Sequence, residues 1–506
     1  MIISFFHKIK LNLKAFVRIF CEKSKQNTCL FFIIALLCKR TQIQKEVLFM
    51  AYKTINPYTN EVEKEFPNAT DEELEAVLAK AHQLYLDWRN DSESLEDRKA
   101  ILHRVADILR ERRTEYATIM SHDMGKLIGE AEGEVDLCAD ICDYYADKAD
   151  EFLKPRTLET DAGKAYYIKQ STGVLVAVEP WNFPFYQIAR VFAPNFIIGN
   201  PMILKDASNC PASAQAFADA VLEAGAPEGS LNNMFISYDQ VAKAIADKRV
   251  SGVCLTGSER GGMSVAAEAG KNLKKTTMEL GGNDAFIILD DADWDLVKEV
   301  APQARLYNAG QVCTSSKRFI VMADKYDEFL EVLKDAFSAV RMGDPTDRTT
   351  TLAPLNSKSA KEKLEKQVEL AVENGAKVYY GNEKVDLPGQ FFMPTILTDI
   401  TPDNPIFNQE MFGPVASVYK VNSEEEAIAL ANNSSYGLGN TVFGKPEHAA
   451  RVAAKIETGM SWINSGWASL PELPFGGVKN SGYGRELSEL GFNAFVNEHL
   501  VFEPKR

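Results

Sequence analysis

From Thr70 to Trp88 the apolar residues return every three or four positions, putting Leu74, Val77, Leu78, Ala81 and Leu84 on one face of a helix that Asp71 starts. A second pattern of the same period runs from Leu95 to about Met120. Beyond it the pattern changes to short apolar and β-branched runs: Val174–Val178, Met202–Lys205, Met234–Ile236, Val253–Leu255 and Phe286–Leu289. Helical stretches separate them. Strands buried on both faces read as continuous apolar runs, and strands alternating with helices build parallel sheets, so an α/β fold is expected. Residues 164–171 instead alternate in and out, and Leu500–Phe502 reads as one more strand. Neither has a place in the α/β alternation. There is no internal repeat and no low-complexity linker.

At 506 residues with 45% hydrophobic content, the chain exceeds what one core supports, so two or more domains are expected. A net charge of −15 argues against nucleic acid or an anionic membrane as partner, since both are polyanions. An anionic small molecule needs only a local basic residue. The charge is uneven: residues 1–49 hold nine Lys or Arg against Glu22 and Glu46, a net +7, which leaves −22 on the remainder. Within this basic stretch the apolar run Cys29–Cys38 has ten residues, half of the roughly twenty that span a bilayer. No small-residue cleavage site follows it, so a signal peptide fits poorly. Two readings of residues 1–50 stay open: an amphipathic anchor on a membrane surface, or a segment outside the functional protein, which then starts at Met50-Ala51.

Eight cysteines without a short repeated spacing do not make a disulfide scaffold. Cys138, Cys142, Cys210 and Cys254 read as small core residues of a protein in a reducing cytoplasm. The six histidines leave the span from 123 to 447 empty, so a metal cluster or a Cys-His pair has little local support, and no metal is expected.

The candidate chemistry lies in that histidine-free span. Cys313 ends Asn308-Ala309-Gly310-Gln311-Val312-Cys313, and Glu279 opens Glu279-Leu280-Gly281-Gly282-Asn283, 34 residues earlier. A thiol attacks only as its thiolate, and a carboxylate beside it takes a proton or activates water. Taken singly, they read as a core cysteine and a surface glutamate. Both, however, lie in glycine-rich turns where backbone can approach a ligand, and Gly281-Gly282 is the natural crossover between two domains.

These two segments resemble the active-site signatures of the aldehyde dehydrogenase superfamily. Pro180-Trp181-Asn182-Phe183-Pro184, Leu255-Thr256-Gly257-Ser258, Glu410-Met411-Phe412-Gly413-Pro414 and Pro474-Phe475-Gly476-Gly477 follow in that family's order, between about residues 54 and 503. The resemblance implies a Rossmann-type cofactor domain (51–152 and 172–279), an α/β catalytic domain (280–480) and a β arm for oligomerisation (153–171 and 486–504), with residues 1–50 outside. It implies Cys313 as nucleophile, Asn182 and the Cys313 N–H as oxyanion donors, and Glu279 as the base that activates the hydrolytic water. No Gly-x-Gly-x-x-Gly follows the first strand; instead Gly257-Ser258 leads through Gly262 into a helix whose N–H groups face a pyrophosphate. Trp181, Lys205, Leu280, Glu410 and Phe412 match further dinucleotide-binding positions, Lys205 at the adenosine ribose and Glu410 with Phe412 at the nicotinamide end.

Cofactor choice turns on Ser208, three residues past Lys205, where many NAD-using relatives carry a glutamate. Serine removes a charge that repels a 2′-phosphate, and Tyr238 adds a hydroxyl where relatives often have glycine. NADP is therefore favoured, with NAD as the weaker alternative, although Asp206 and Asp239 are near in sequence. Arg190, eight residues past Asn182, matches the arginine that succinate-semialdehyde dehydrogenases of this family use for the substrate carboxylate, and Ser469 matches the serine that assists it. Tyr307 stands where some of these enzymes have a second arginine; with Trp467 it completes the substrate-binding set. The expectation is NAD(P)-dependent oxidation of succinate semialdehyde to succinate by a cytoplasmic homodimer or homotetramer, its partner a small aldehyde bearing a carboxylate. Open alternatives are another small aldehyde, such as glutarate semialdehyde or an aliphatic one, and a CoA-acylating reaction, against which Glu279 speaks. A catalytically silent binding paralogue is the alternative of another class, and Cys313, Glu279 and Asn182 together speak against it.

Overall fold

The computed structural model describes residues 52–91 and 94–505, so the expected extension 1–50 lies outside it. The first long helix is Asp71–Asn90, and its cap is Thr70 rather than Asp71: the Thr70 hydroxyl accepts from Glu73 N–H at 3.1 Å while the Glu73 carboxylate accepts from Thr70 N–H at 2.7 Å. Leu74, Leu78, Ala81 and Leu84 are buried on its inner face. The pattern from Leu95 to Met120 resolves into two helices, Ser94–Glu111 and Arg113–Met124, interrupted at Arg112 (φ −107°, ψ 24°). Arg112 pairs there with Glu223 of another helix, a long-range contact to which periodicity is blind.

Six strands form the first sheet, in the order Gly482–Tyr483, Lys275–Glu279, Val250–Thr256, Val174–Val178, Met202–Lys205, Leu231–Asn233; only the short first strand is antiparallel. The last strand is not Met234–Ile236 as the apolar run suggested, but Leu231–Asn233, which pairs with Met202–Leu204. Met234 and Ile236 are buried nonetheless, packed with Leu74 and Leu78, so their apolar character marks core contact and not pairing. Seven strands form the second sheet, from Lys377–Tyr380 through Thr395–Thr398, Val415–Val421, Arg318–Met322, Ala285–Ile288 and Gly439–Phe443 to Met460–Ile463, parallel except for the first. The fold is thus α/β, with helices packed on parallel sheets. The two lone strands find each other: Gly163–Ser171 pairs antiparallel along Val496–Pro504, with Arg156–Leu158 on its other edge.

Ligands of open parallel sheets gather at the carboxyl ends of the strands. Glu279 and Thr256 are the last residues of neighbouring strands and are paired in register. The Val174–Val178 strand runs into the segment 179–185 and then the wholly buried Tyr186–Ile198 helix. That helix start is fixed from outside: Glu134 accepts from Phe185 N–H at 2.9 Å and Tyr186 N–H at 3.0 Å. Lys126 neutralises Glu134 and sits 3.6 Å from the Phe183 ring centroid. A buried pair of this kind costs about 3–5 kcal/mol to break from one side, so Asn182 stands on a rigid support.

Candidate active site

The backbone before Cys313 is strained. Asn308 (φ 51°, ψ 37°), Ala309 (φ 51°, ψ 32°) and Gly310 (φ 74°) are three successive left-handed residues, a conformation that costs roughly 1–2 kcal/mol for each residue with a Cβ. At Gly310 no side chain fits, since a Cβ would lie 2.4 Å from Gly413 O. The turn is closed by Gln311 N–H on Asn308 O at 3.0 Å and tied to Asn182 by Asn308 Nδ2 on Asn182 O at 2.9 Å. Asn182 Nδ2 in turn reaches Gln311 O at 3.2 Å. Lys317 takes the other side, donating to Val312 O at 2.8 Å and Cys313 O at 2.7 Å. The Gly281-Gly282 turn crosses directly against this loop: a Cβ on Gly282 would meet Cys313 O at 2.4 Å, which is why glycine is required there.

Cys313 lies at the shared wall of two cavities. One, of about 290 Å³, is lined by Phe183, Tyr186, Arg190, Tyr307, Trp467 and Ser469 among others. Phe183 and Tyr307 are stacked at 6.4 Å and Trp467 stands edge-on to Tyr307 at 5.3 Å, so much of the wall is aromatic, with Arg190 and Ser469 among its polar lining. The other, of about 230 Å³, is lined by Trp181, Asn182, Gly257, Ser258, Leu280, Glu410 and Phe412. Burial pushes the Cys313 thiol up to about 12, against the pull of Lys317 and Arg190, so a base is needed before it attacks.

Arg190 is not a surface arginine; it is 1% exposed. Its Nε pairs with Glu486, its Nη2 donates to Thr256 Oγ1 at 3.0 Å, and its Nη1 has no partner among the described residues. Ser469 meets it through Tyr186, whose hydroxyl donates to Ser469 Oγ at 3.0 Å while its ring lies 4.9 Å from the guanidinium carbon. Burial alone would lower the guanidinium, but Glu486, Tyr186, Glu279 and Glu179 together hold it above its ordinary value. Glu279 and Glu179 are pushed well above the usual carboxyl range, first by burial and then by Glu486. Glu279 lines neither cavity: it is buried behind Gly476, where a Cβ would lie 2.6 Å from Glu279 Oε1.

On the other side, Ser258 caps the Glu259–Lys271 helix by accepting from Gly261 N–H at 3.3 Å, and Gly262 gives room to Leu280, 2.7 Å from where its Cβ would be. This leaves a helix N-terminus at the cleft, a place that favours anions. Glu410 is held by Gly282 N–H at 3.1 Å and Lys317 at 3.2 Å, and Trp181 stands edge-on to Phe412 at 5.6 Å. Lys205, Ser208 and Tyr238 do not line the cavity but gather beyond it. Lys205 lies 5.5 Å from the Tyr238 ring and 5.3 Å from that of Tyr52, whose neighbour Lys53 donates its N–H to Ser208 O at 3.1 Å. Burial lowers Lys205 to about 8, and Tyr238 is 69% exposed. An open anion-favouring helix end, a glycine-lined approach and a lysine beside an exposed tyrosine fit a phosphorylated dinucleotide.

The aldehyde dehydrogenase family model matches residues 45–501 of this sequence. The chain belongs to that family. It is 46% identical over 451 residues to the NADP(+) succinate-semialdehyde dehydrogenase of Deinococcus radiodurans, covering 89% of this chain and 94% of the relative. It is 42% identical to a probable enzyme of the same name from Synechocystis, over 90% of this chain and all of that one. Among solved structures, that of succinic semialdehyde dehydrogenase from Streptococcus pyogenes in complex with NADP+ superposes with a TM-score of 0.89 at 67% identity, covering 90% of this chain and 100% of the other.

Within this aldehyde dehydrogenase several lining residues lay outside the sequence reading. Gln187 borders both cavities, and Lys363 reaches the cofactor-side cleft from a helix of the other sheet's layer. Glu486 lines neither cavity but pairs with Arg190, and the sequence around it gives no sign of that partner. Gln187 and Lys363 carry no local signal. Among the described residues one cluster of metal-ligand type, Asp290, Asp291 and His448, lies outside both cavities; His448 is already bonded to Asp291 at 3.0 Å and Glu424 at 2.9 Å. Cys138, Cys142, Cys210 and Cys254 are buried and free. No helix among the described residues is long and apolar enough to cross a membrane.

Proposed function

We propose that this chain oxidises succinate semialdehyde to succinate with NADP. One observation carries the reading: Cys313 separates a cavity that ends on a buried arginine with a free Nη1 from a cleft that ends on a helix N-terminus. The aromatic walls suit a short carbon chain and Arg190 suits its carboxylate, while the relatives' own activity supports the same substrate and cofactor. The Cys313 thiol gives its proton to water in the cleft, the thiolate adds to the aldehyde carbon, and Asn182 Nδ2 with the Cys313 N–H holds the oxyanion of the thiohemiacetal. The cofactor, when bound, supplies the hydride acceptor that turns this adduct into a thioester. Glu279, which lines neither cavity as it stands, then turns from behind Gly476 towards Cys313 and takes a proton from the water that hydrolyses the thioester. Trp181, Gly257, Ser258, Leu280, Glu410 and Phe412 hold the cofactor along the cleft, Gly262 shapes it, and Lys205, Ser208 and Tyr238 receive the adenosine end.

The same reading assigns 51–152 and 172–279 to cofactor binding and 280–480 to catalysis, supported by the two separate sheets. It assigns 153–171 and 486–504 to an arm through which a cytoplasmic homodimer or homotetramer forms. Exposed Leu158, Leu500 and Phe502 on the three-stranded sheet support that arm.

The test is a set of initial rates with succinate semialdehyde and uncharged aldehydes of similar length, each with NADP and with NAD. The highest kcat/KM is expected for succinate semialdehyde with NADP; an uncharged aldehyde used equally well rejects the substrate. For the cofactor, Ser208→Glu puts a carboxylate beside Lys205 and Tyr238, and like-charge repulsion is expected to lower kcat/KM for NADP roughly tenfold or more relative to NAD. An unchanged ratio puts Ser208 away from the 2′-phosphate.

A further inference from the structure

The left-handed turn before Cys313 is held at its first residue by a group that no step of the reaction uses. Asn308 is fully buried, and its N–H points at Glu130, with Oε1 and Oε2 both at 3.1 Å. Glu130 comes from the first turn of the Ile128–Leu153 helix, well away in sequence from both signature segments. The remaining ties of the turn run inward: Gln311 Nε2 to Asn308 O at 3.1 Å, Asn308 Nδ2 to Gln311 O at 3.2 Å, Arg305 Nη1 to Gly310 O at 3.3 Å. None replaces an acceptor for the Asn308 N–H. A buried donor without an acceptor is costly, and a turn already in an unfavourable conformation relaxes if that anchor is lost. Because Asn308 bonds Asn182 O and Asn182 bonds Gln311 O, relaxation moves both oxyanion donors together.

We propose that Glu130 is a positioning residue of this site, whose carboxylate holds the Asn308 turn so that Cys313 and the Asn182 amide keep their mutual geometry. This rests on the roles given to Cys313 and Asn182 above. The groups that act with Glu130 are Lys126 just before its helix and Tyr307 of the nucleophile loop, which also feels Glu134 one turn on. Burial pushes the Glu130 carboxyl up to about 7, with the Asn308 N–H and Lys126 pulling it down, so it changes charge near neutrality. As a carboxylate it accepts more strongly than as an acid, so its grip tightens as pH rises.

The experiment compares the parent with Glu130→Gln and Glu130→Ala in three measurements: the pre-steady-state burst of NADPH, the rate of Cys313 alkylation by iodoacetamide, and NADPH affinity by fluorescence. In Glu130→Ala the burst is expected to slow roughly ten- to a hundredfold, the scale of a small misplacement of reacting groups, with NADPH affinity unchanged. Glutamine keeps a neutral acceptor. The parent and Glu130→Gln should therefore run alike at about pH 6, and the parent should pull ahead several-fold by about pH 9, in burst and alkylation both. A parent-level burst in Glu130→Ala overturns the proposal, as does a parent-to-Gln ratio flat across that range. If Glu130→Ala loses NADPH binding, the glutamine ratio decides alone. A parent enzyme that keeps its burst after Cys313 is alkylated refutes the nucleophile assignment instead.

Discussion

Cys313→Ala is expected to abolish even a single turnover, with a loss on the order of 10⁴-fold or more, while Glu279→Gln keeps a burst of reduced cofactor close to one per site and loses steady-state rate by roughly 10²–10⁴-fold. In the proposed mechanism the two residues act on successive steps. Without the sulfur no thiohemiacetal forms; without the carboxylate the thioester forms but water attacks it slowly. Glu279 is buried beside Glu486 and held well above the usual carboxyl range, so its base form is scarce in acid and grows as pH rises. Parent turnover should accordingly climb with pH well above the usual carboxyl range, and the Glu279→Gln variant should lack that limb. The stability sign runs the other way. A carboxyl whose folded-state value is raised contributes stability below its unfolded value and loses it as pH climbs, so Glu279→Gln should lose less Tm than the parent at alkaline pH. Rapid-quench and steady-state rates over a pH series check both. Turnover near the parent value in Cys313→Ala would sink the mechanism.

Arg190→Ala carries the second large effect, and the structure divides it in two. One part is shared by every substrate: the guanidinium pairs with Glu486 and also faces Glu279 and Glu179, and removing it strands buried carboxyls, which costs about 3–5 kcal/mol of stability. The other part is selective. Charged hydrogen bonds contribute roughly 1.5–3 kcal/mol, so kcat/KM for succinate semialdehyde should fall ten- to a hundredfold further than for an uncharged aldehyde of similar length. Adding Glu486→Gln should return part of the Tm without returning the selectivity. Equal losses on both aldehydes would leave Arg190 with a purely structural part.

The proposed chemistry was legible in short runs of sequence, because Cys313, Asn182 and Glu279 each sit in a segment whose glycines and prolines are explained by close backbone approach. Gly282 against Cys313 O is the plainest case. What escaped the reading depends on contacts between segments far apart. Glu130 meets Asn308 and Glu486 meets Arg190 only after the chain folds, and neither pairing leaves a local pattern. The strand at Leu231–Asn233 escaped for another reason: its polar asparagines hid it, while the buried Met234 and Ile236 beside it imitated a strand. The arginine at 190 stood out in the sequence, but its burial and its carboxylate neighbours did not, since a helix with apolar residues on every side gives no exposed face to read.

That crowding of acids around one guanidinium makes substrate uptake a protonic event. Glu279, Glu486 and Glu179 crowd Arg190, with Arg485 as the further cation acting on Glu279, and a dicarboxylic product or its semialdehyde brings further negative charge to the same guanidinium. A dry site resists that excess, so docking the carboxylate should draw a proton onto the cluster from the buffer. Calorimetry of succinate binding in buffers of different ionisation heat should register the uptake, and the apparent affinity should weaken as the medium becomes more alkaline. Rising base strength for hydrolysis and falling hold on the acid then pull against each other. The pH optimum should therefore fall where the two effects balance, and Arg190→Ala should move it.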